Sequence, residues 1–362
     1  MKKTVLLATA AAVALSTAVV RAEGVVNVYN WSDYIDDAIL EAFTAETGIR
    51  VVYDVYDSNE ILETKLLAGG TGYDIVVPTG TFLQRQIAAG VYQPLDKSKL
   101  PNLANMWPDI MERLAVYDPG NLHSINYMWG TTGLGYNVAA VQERLGVDAV
   151  TSWDVLFNPE IAAKFADCGI YVLDTAEEVL PAALNYLGLP PDSKDAADIE
   201  KAKELMMSIR PFIQKFHSSE YINALANGDI CLAHGWSGDI LQARDRAVEA
   251  NAGVTVEYAI PKEGALMWFD NMAIPADAPN VENAHKFLDF IMRPDMAAKA
   301  SNYIYYANGN LASKELLNED VIGDPAIYPD DETVKKLYVT TPASPRDQRA
   351  ITRAWTEIKT GL

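Results

Sequence analysis

Basic and metal-binding side chains are scarce in this sequence. Of 362 residues, 29 are Lys or Arg against 49 Asp or Glu, a formal charge of −20, and there are two cysteines and four histidines. So acidic a balance argues against a nucleic-acid partner, which needs a basic stripe, and fits long-range attraction of cations. Solubility accounts for most such charges equally well, so net charge alone selects no ligand. His123, His217 and His285 have no Cys or His at ligand spacing. Cys231 and His234 do stand three apart, but two ligands fall short of a structural zinc site, and no metal is expected. There is no Gly-x-Ser-x-Gly and no catalytic Cys-His signature. After the N-terminus no apolar run is long enough to span a bilayer.

At the N-terminus, Lys2 and Lys3 precede a largely apolar run from Val5 to Val20, then Arg21-Ala22. This pattern predicts a signal peptide over 1–22 rather than a membrane anchor. Cleavage leaves 26 basic residues against 49 acidic ones and moves the formal charge from −20 to −23. In an oxidising compartment, Cys168 and Cys231 form one disulfide or remain two buried thiols.

The length allows two domains, and 49% hydrophobic with 22% charged residues predicts a packed fold. Val25 to Tyr29 reads as a strand, and Ile35, Ile39, Leu40 and Phe43 as a helix stopped at Gly48. A strand over 51–56, a helix opened by a capping box of Asp57 and Glu60, and a buried strand over 74–78 follow. The alternation predicts an α/β fold with a doubly wound, mostly parallel sheet. The Gly- and Thr-rich stretch 127–137 reads as the chain leaving the first domain. Helices near 152–166, 176–187 and 194–216, with strands near 169–173 and 229–235, read as a second one. Residues 255–275 read as the return, and a basic helix is expected around 349–359.

Three stretches place an aromatic beside a carboxylate at a strand end or crossing: Trp31-Ser32-Asp33-Tyr34, Trp236-Ser237-Gly238-Asp239 and Trp268-Phe269-Asp270. Alternation puts Trp268 and Asp270 on one face. A primary ammonium leaving water loses several kcal/mol of solvation; a carboxylate offsets this, and an aromatic face adds about 0.5–2 kcal/mol. Walls of Trp and Tyr with carboxylates at both ends therefore suit an aliphatic diamine. Core packing explains any one Trp taken alone, and helix capping any one Asp near a turn. Asp33 first reads as the counter-charge of such a cation.

Longer motifs narrow this. The pieces 29–35 (YNWSDYI), 53–60 (YDVYDSNE), 93–101 (QPLDKSKLP), 217–219 (HSS), 226–231 (ANGDIC), 235–239 (GWSGD) and 261–264 (PKEG) resemble the periplasmic polyamine-binding proteins of bacterial ABC importers. These are the putrescine and spermidine receptors, and the likeness runs over nearly the whole mature chain. It implies a two-lobed periplasmic binding protein fold, each lobe a mostly parallel sheet flanked by helices, with the ligand cleft between lobes. The lobes are expected over 23–132 with 262–308, and over 133–261 with 309–362. The resemblance assigns ligand contacts to Trp31, Ser32, Asp33, Tyr34, Thr79, Glu178, Trp236, Asp239, Trp268, Asp270 and Tyr306, and pairs Cys168 with Cys231. Asp239 and Asp270 take over from Asp33 as ammonium-binding carboxylates. Trp268 departs from the putrescine branch, where Phe is usual, and matches the spermidine branch. The implied function is a non-catalytic, monomeric, cofactor-free receptor in the periplasm that passes putrescine, or else spermidine, to permease subunits. A secreted glycoside hydrolase, whose chemistry needs two carboxyl groups, and a receptor for a sugar or basic amino acid are the rivals.

Overall fold

In the computed structural model, residues 24–361 are described; the signal peptide expected over 1–22 lies outside them. Ten strands join one mixed sheet. They are β1 (Gly24–Trp31), β2 (Ile49–Tyr56), β3 (Ile75–Val76), β4 (Ser124–Asn137), β5 (Ile170–Val172), β6 (Lys215–Phe216), β7 (Leu232–Trp236), β8 (Val256–Ala259), β9 (Leu266–Ala273) and β10 (Ala307–Asn308).

The expected parallel pairing is present at both ends of this sheet. β1 lies between β2 and β3, parallel to both, and β5 lies likewise between β6 and β7. The middle is antiparallel, because the chain goes out on β4 and returns on β9. β4 is 14 residues long and buried along all but its last residue. Its first part, Ser124 to Thr132, pairs with β9; its last part pairs with β7 and β8. At about 3.4 Å per residue it reaches from one parallel group to the other.

Helices cover the sheet. Helix Asp37–Thr47 buries Ile39 and Phe43 and stops at Gly48, whose φ of 71° is left-handed, as expected. Helix Asn59–Ala68 is capped by Ser58, whose side chain accepts from the Ile61 N–H, and not by Asp57. The helix expected over 152–166 is broken into Asp154–Phe157, Pro159–Ala162 and a 3-10 turn, since Pro159 has no N–H to continue it. Helices that escaped the pattern include Tyr221–Asn227 and Ser237–Glu249. The second buries Ser237, Gly238 and Asp239 in its first turn, so its buried face opens without apolar periodicity.

Cys168 and Cys231 are bonded, with Cα atoms 5.6 Å apart. They stand just before β5 and β7, so the link joins the entries of two neighbouring strands. After β10 the chain stays beside helix Pro294–Ile304. Asn310 donates to the Met292 carbonyl at 2.7 Å, and Leu311–Leu316 packs on helix Pro294–Ile304.

Candidate ligand-binding site

The strand-end turn after β1 is fixed from behind. The Trp31 indole donates to the Val77 carbonyl at 2.9 Å, and Tyr127 donates to the Tyr34 carbonyl at 2.8 Å. Tyr34 thereby faces the two crossing strands, where its hydroxyl donates to Asp270 Oδ2 at 2.9 Å. Asp270 sits on β9, opposite Met128 of β4. Its other oxygen accepts from the Thr79 hydroxyl at 2.7 Å. Thr79 is held in turn by Asn59, which donates to its hydroxyl at 2.9 Å and accepts from its N–H at 3.1 Å.

Asp239 is treated in the same way. It lies in the first turn of helix Ser237–Glu249, and each carboxylate oxygen accepts from a phenol at 2.7 Å, Tyr221 on one side and Tyr306 on the other. Tyr306 reaches it because Tyr305, with φ of 59°, ends helix Pro294–Ile304 in the left-handed conformation. Glu178 accepts from the Thr132 hydroxyl at 2.6 Å.

A cavity of about 470 Å³, mouth included, lies between these groups. Trp31, Ser32, Tyr34, Thr79, Glu178, Trp236, Asp239, Trp268, Asp270 and Tyr306 all line it. Trp268 and Tyr306 meet edge-on at 5.3 Å, and so do Trp31 and Trp236 at 5.7 Å. Two glycines make room for these rings. A Cβ on Gly130 would meet the Trp268 ring at 2.7 Å, and one on Gly238 the Tyr306 ring at 2.5 Å.

Asp33 is the exception among the expected contacts. Its φ of 54° belongs to the left-handed region, its side chain is not in the cavity wall, and it accepts from Arg246 at 2.6 Å. Its carboxylate is therefore already neutralised and links the turn to helix Ser237–Glu249. Three lining residues were missed: Asp57, Asn59 and Ser218. All lie within motifs that carried the family resemblance, but Asp57 read as a cap. A second chamber of about 530 Å³ shares Trp31, Glu178, Trp236 and Trp268 with the first, and adds Glu60 and Glu177.

Burial disfavours the charged form of each carboxylate. It pushes Asp270 up to about 7, further raised by Asp239 and opposed by the Thr79 and Tyr34 hydrogen bonds. It pushes Asp239 up to about 6 against the two phenols, and Glu178 up to about 7 against its hydrogen bonds to Thr132 and Trp236. The described lining residues include four carboxylates, with Asp57, and no Lys, Arg or His. Such a site is short of positive charge and offers acceptors beside aromatic faces.

Comparison with known proteins agrees in fold and length. The chain is 54% identical over 338 residues to the putrescine-binding periplasmic protein SpuD of Pseudomonas aeruginosa, covering 93% of this chain and 92% of that one. It is 50% identical to the putrescine-binding periplasmic protein PotF of Escherichia coli, covering 92% and 91%. Among solved structures it superposes on the spermidine/putrescine ABC transporter substrate-binding protein PotD of Streptococcus pneumoniae with a TM-score of 0.77 at 32% identity, over 94% of this chain and 99% of the other. Residues 38–329 match the bacterial extracellular solute-binding proteins, and the chain belongs to that family.

Proposed function

We propose that this protein captures an aliphatic polyamine in the periplasm and delivers it to the permease subunits of an ABC importer, acting as a monomer and without catalysis. The observation that carries this reading is the charge balance of the cavity, four carboxylates and no basic group among the described lining residues. An uncharged sugar would leave those charges uncompensated. A basic amino acid would bring an α-carboxylate with no Arg to receive it. Against glycosidic chemistry, which needs a carboxyl pair acting on a bound sugar, the chain belongs to a family of extracellular solute-binding proteins. The names of the relatives at 50–54% identity support a diamine, so putrescine is the first ligand to test.

In this reading the first lobe spans 24–132 and 262 to about 317, and the second the remainder, with the late exit supported by the packing of Leu311–Leu316. Asp239 and Asp270 bind the ammonium groups, and Glu178 helps. Trp31, Trp236, Trp268 and Tyr306 enclose the methylenes, each worth about 0.8 kcal/mol when buried. Thr79, with Asn59 behind it, sets Asp270. The second chamber leaves spermidine as a longer alternative. Closure is a hinge motion on the crossing strands. Around the cleft it is supported by Arg246 on Asp33, by Arg85 on Glu177 at 3.0 Å, and by the Tyr117 hydroxyl on the Thr340 carbonyl at 2.9 Å.

Calorimetric titration with putrescine, cadaverine, spermidine and agmatine tests the ligand class; absence of binding to all four refutes it. Asp239→Asn and Asp270→Asn should each weaken putrescine binding by at least about tenfold, since each removes a charged hydrogen-bond acceptor, while the thermal melt stays cooperative. Unchanged affinity in both refutes the site.

A further inference from the structure

We infer that Tyr221 is a positioning residue for ligand capture, its hydroxyl fixing the direction of Asp239 and the position of Trp236 together. The inference rests on the polyamine reading above. Tyr221 is fully buried and is not part of the cavity wall. It opens helix Tyr221–Asn227, and its ring lies so close to β7 that a Cβ on Gly235 would meet it at 2.6 Å. From there the hydroxyl donates to Asp239 Oδ2 at 2.7 Å and accepts from the Trp236 N–H at 3.2 Å. One buried atom thus ties a carboxylate to the main chain of an aromatic wall.

Packing alone does not call for that oxygen. Phenylalanine fills the same space, and a buried hydroxyl is costly unless it is hydrogen-bonded. The other donor to Asp239, Tyr306, follows the return crossing and belongs to the opposite lobe in the division proposed above. Tyr221 shares a lobe with Asp239, so it sets the carboxylate before closure, whereas Tyr306 reaches it only when the lobes meet. The groups facing Asp239 are these two phenols, Arg246 and Asp33 nearby, and Tyr34 and Asp270 across the cavity.

The test is putrescine titration of the mature protein and of Tyr221→Phe near pH 6 and near pH 8.5, with thermal melts of both. Loss of one donor to a charged acceptor predicts affinity about tenfold weaker near pH 6. The deficit shrinks at the higher pH, because Asp239 without this donor ionises later. In an Asp239→Asn background the substitution should add nothing. Equal affinity to wild type at both pH values overturns the inference, and so does one constant deficit that persists in the Asp239→Asn background, which marks a structural defect. If Tyr221→Phe fails to fold, 3-fluorotyrosine at 221 keeps the packing and strengthens the donor. The acid limb of binding should then move to lower pH, and an unmoved limb overturns the inference. No binding by wild type overturns the polyamine reading and this inference with it; binding by wild type with an unaltered variant overturns this inference alone.

Discussion

Proton linkage gives the sharpest test of the site. With the lobes together, burial raises Asp239 to about 6 and Asp270 to about 7. A diammonium ligand needs both ionised, and it stays doubly charged across this range, since alkyl ammonium groups lose their protons only near pH 10. Near pH 8 both carboxylates are nearly fully ionised and affinity is at its plateau. As pH falls from 8 toward 5.5 these carboxylates take up protons, Asp270 before Asp239, and affinity should fall by at least about tenfold. Stability of the unliganded protein should move the other way. Folded-state values above the unfolded value of 3.8 mean that the folded chain binds more protons on acidification. These two groups therefore destabilise above their folded values, and the penalty is relieved as pH falls through 7 and 6. Calorimetry across the range, with melts with and without putrescine, reads both. The unliganded melting temperature should gain from these groups toward pH 5 while the increment from ligand shrinks. Affinity that is flat between pH 8 and 5.5 refutes the assignment of these carboxylates to the ammonium groups.

Two further outcomes follow from other parts of the molecule. Replacing Cys168 and Cys231 by Ser opens a loop with a sequence separation of 63, which costs about 4 kcal/mol in the chain-entropy model. The denaturant midpoint should fall while affinity for putrescine stays constant, since neither cysteine lines the cavity. Trp268→Phe should weaken spermidine more than putrescine in parallel titrations, because Trp268 lines both chambers and a longer ligand loses contact in each.

Local pattern made the first lobe legible. β1, helix Asp37–Thr47 and the Gly48 stop follow from apolar spacing and one left-handed residue. The second lobe was harder because its key helix opens on small and polar residues, Ser237, Gly238 and Asp239, of which Asp239 lines the cavity and Gly238 leaves room for the Tyr306 ring. The same cause hid Tyr221: nothing in sequence marks a buried phenol as the partner of a carboxylate 18 positions away. Most of the expected site residues lie together in the cavity wall; the aromatic–carboxylate clusters were legible from their place at strand ends and crossings, and Thr79, Glu178 and Tyr306 only from the family resemblance. Asp33 shows the limit of that route. A motif places the residue in the turn, but its left-handed backbone and a cation 213 positions away decide where its carboxylate goes.

The two main carboxylates are not equivalent. Asp239 stands at the amino end of a helix, where backbone dipoles favour negative charge, and has two phenolic donors. Asp270 stands on a strand, with one phenol and one aliphatic hydroxyl, and burial pushes it higher. With the lobes together, Asp239 is therefore the more readily ionised of the two. In the division proposed above, Tyr34 and Thr79 complete Asp270 within the first lobe, and Tyr221 serves Asp239 within the second. A ligand with one cation can satisfy either lobe and gains little from bringing them together. A ligand with cations at both ends compensates both carboxylates only when the lobes meet, so its affinity for the closed form exceeds that for the open one. That difference is the condition for a ligand to drive closure. It makes a dication, rather than any cation, the species for which this pair of lobes is built.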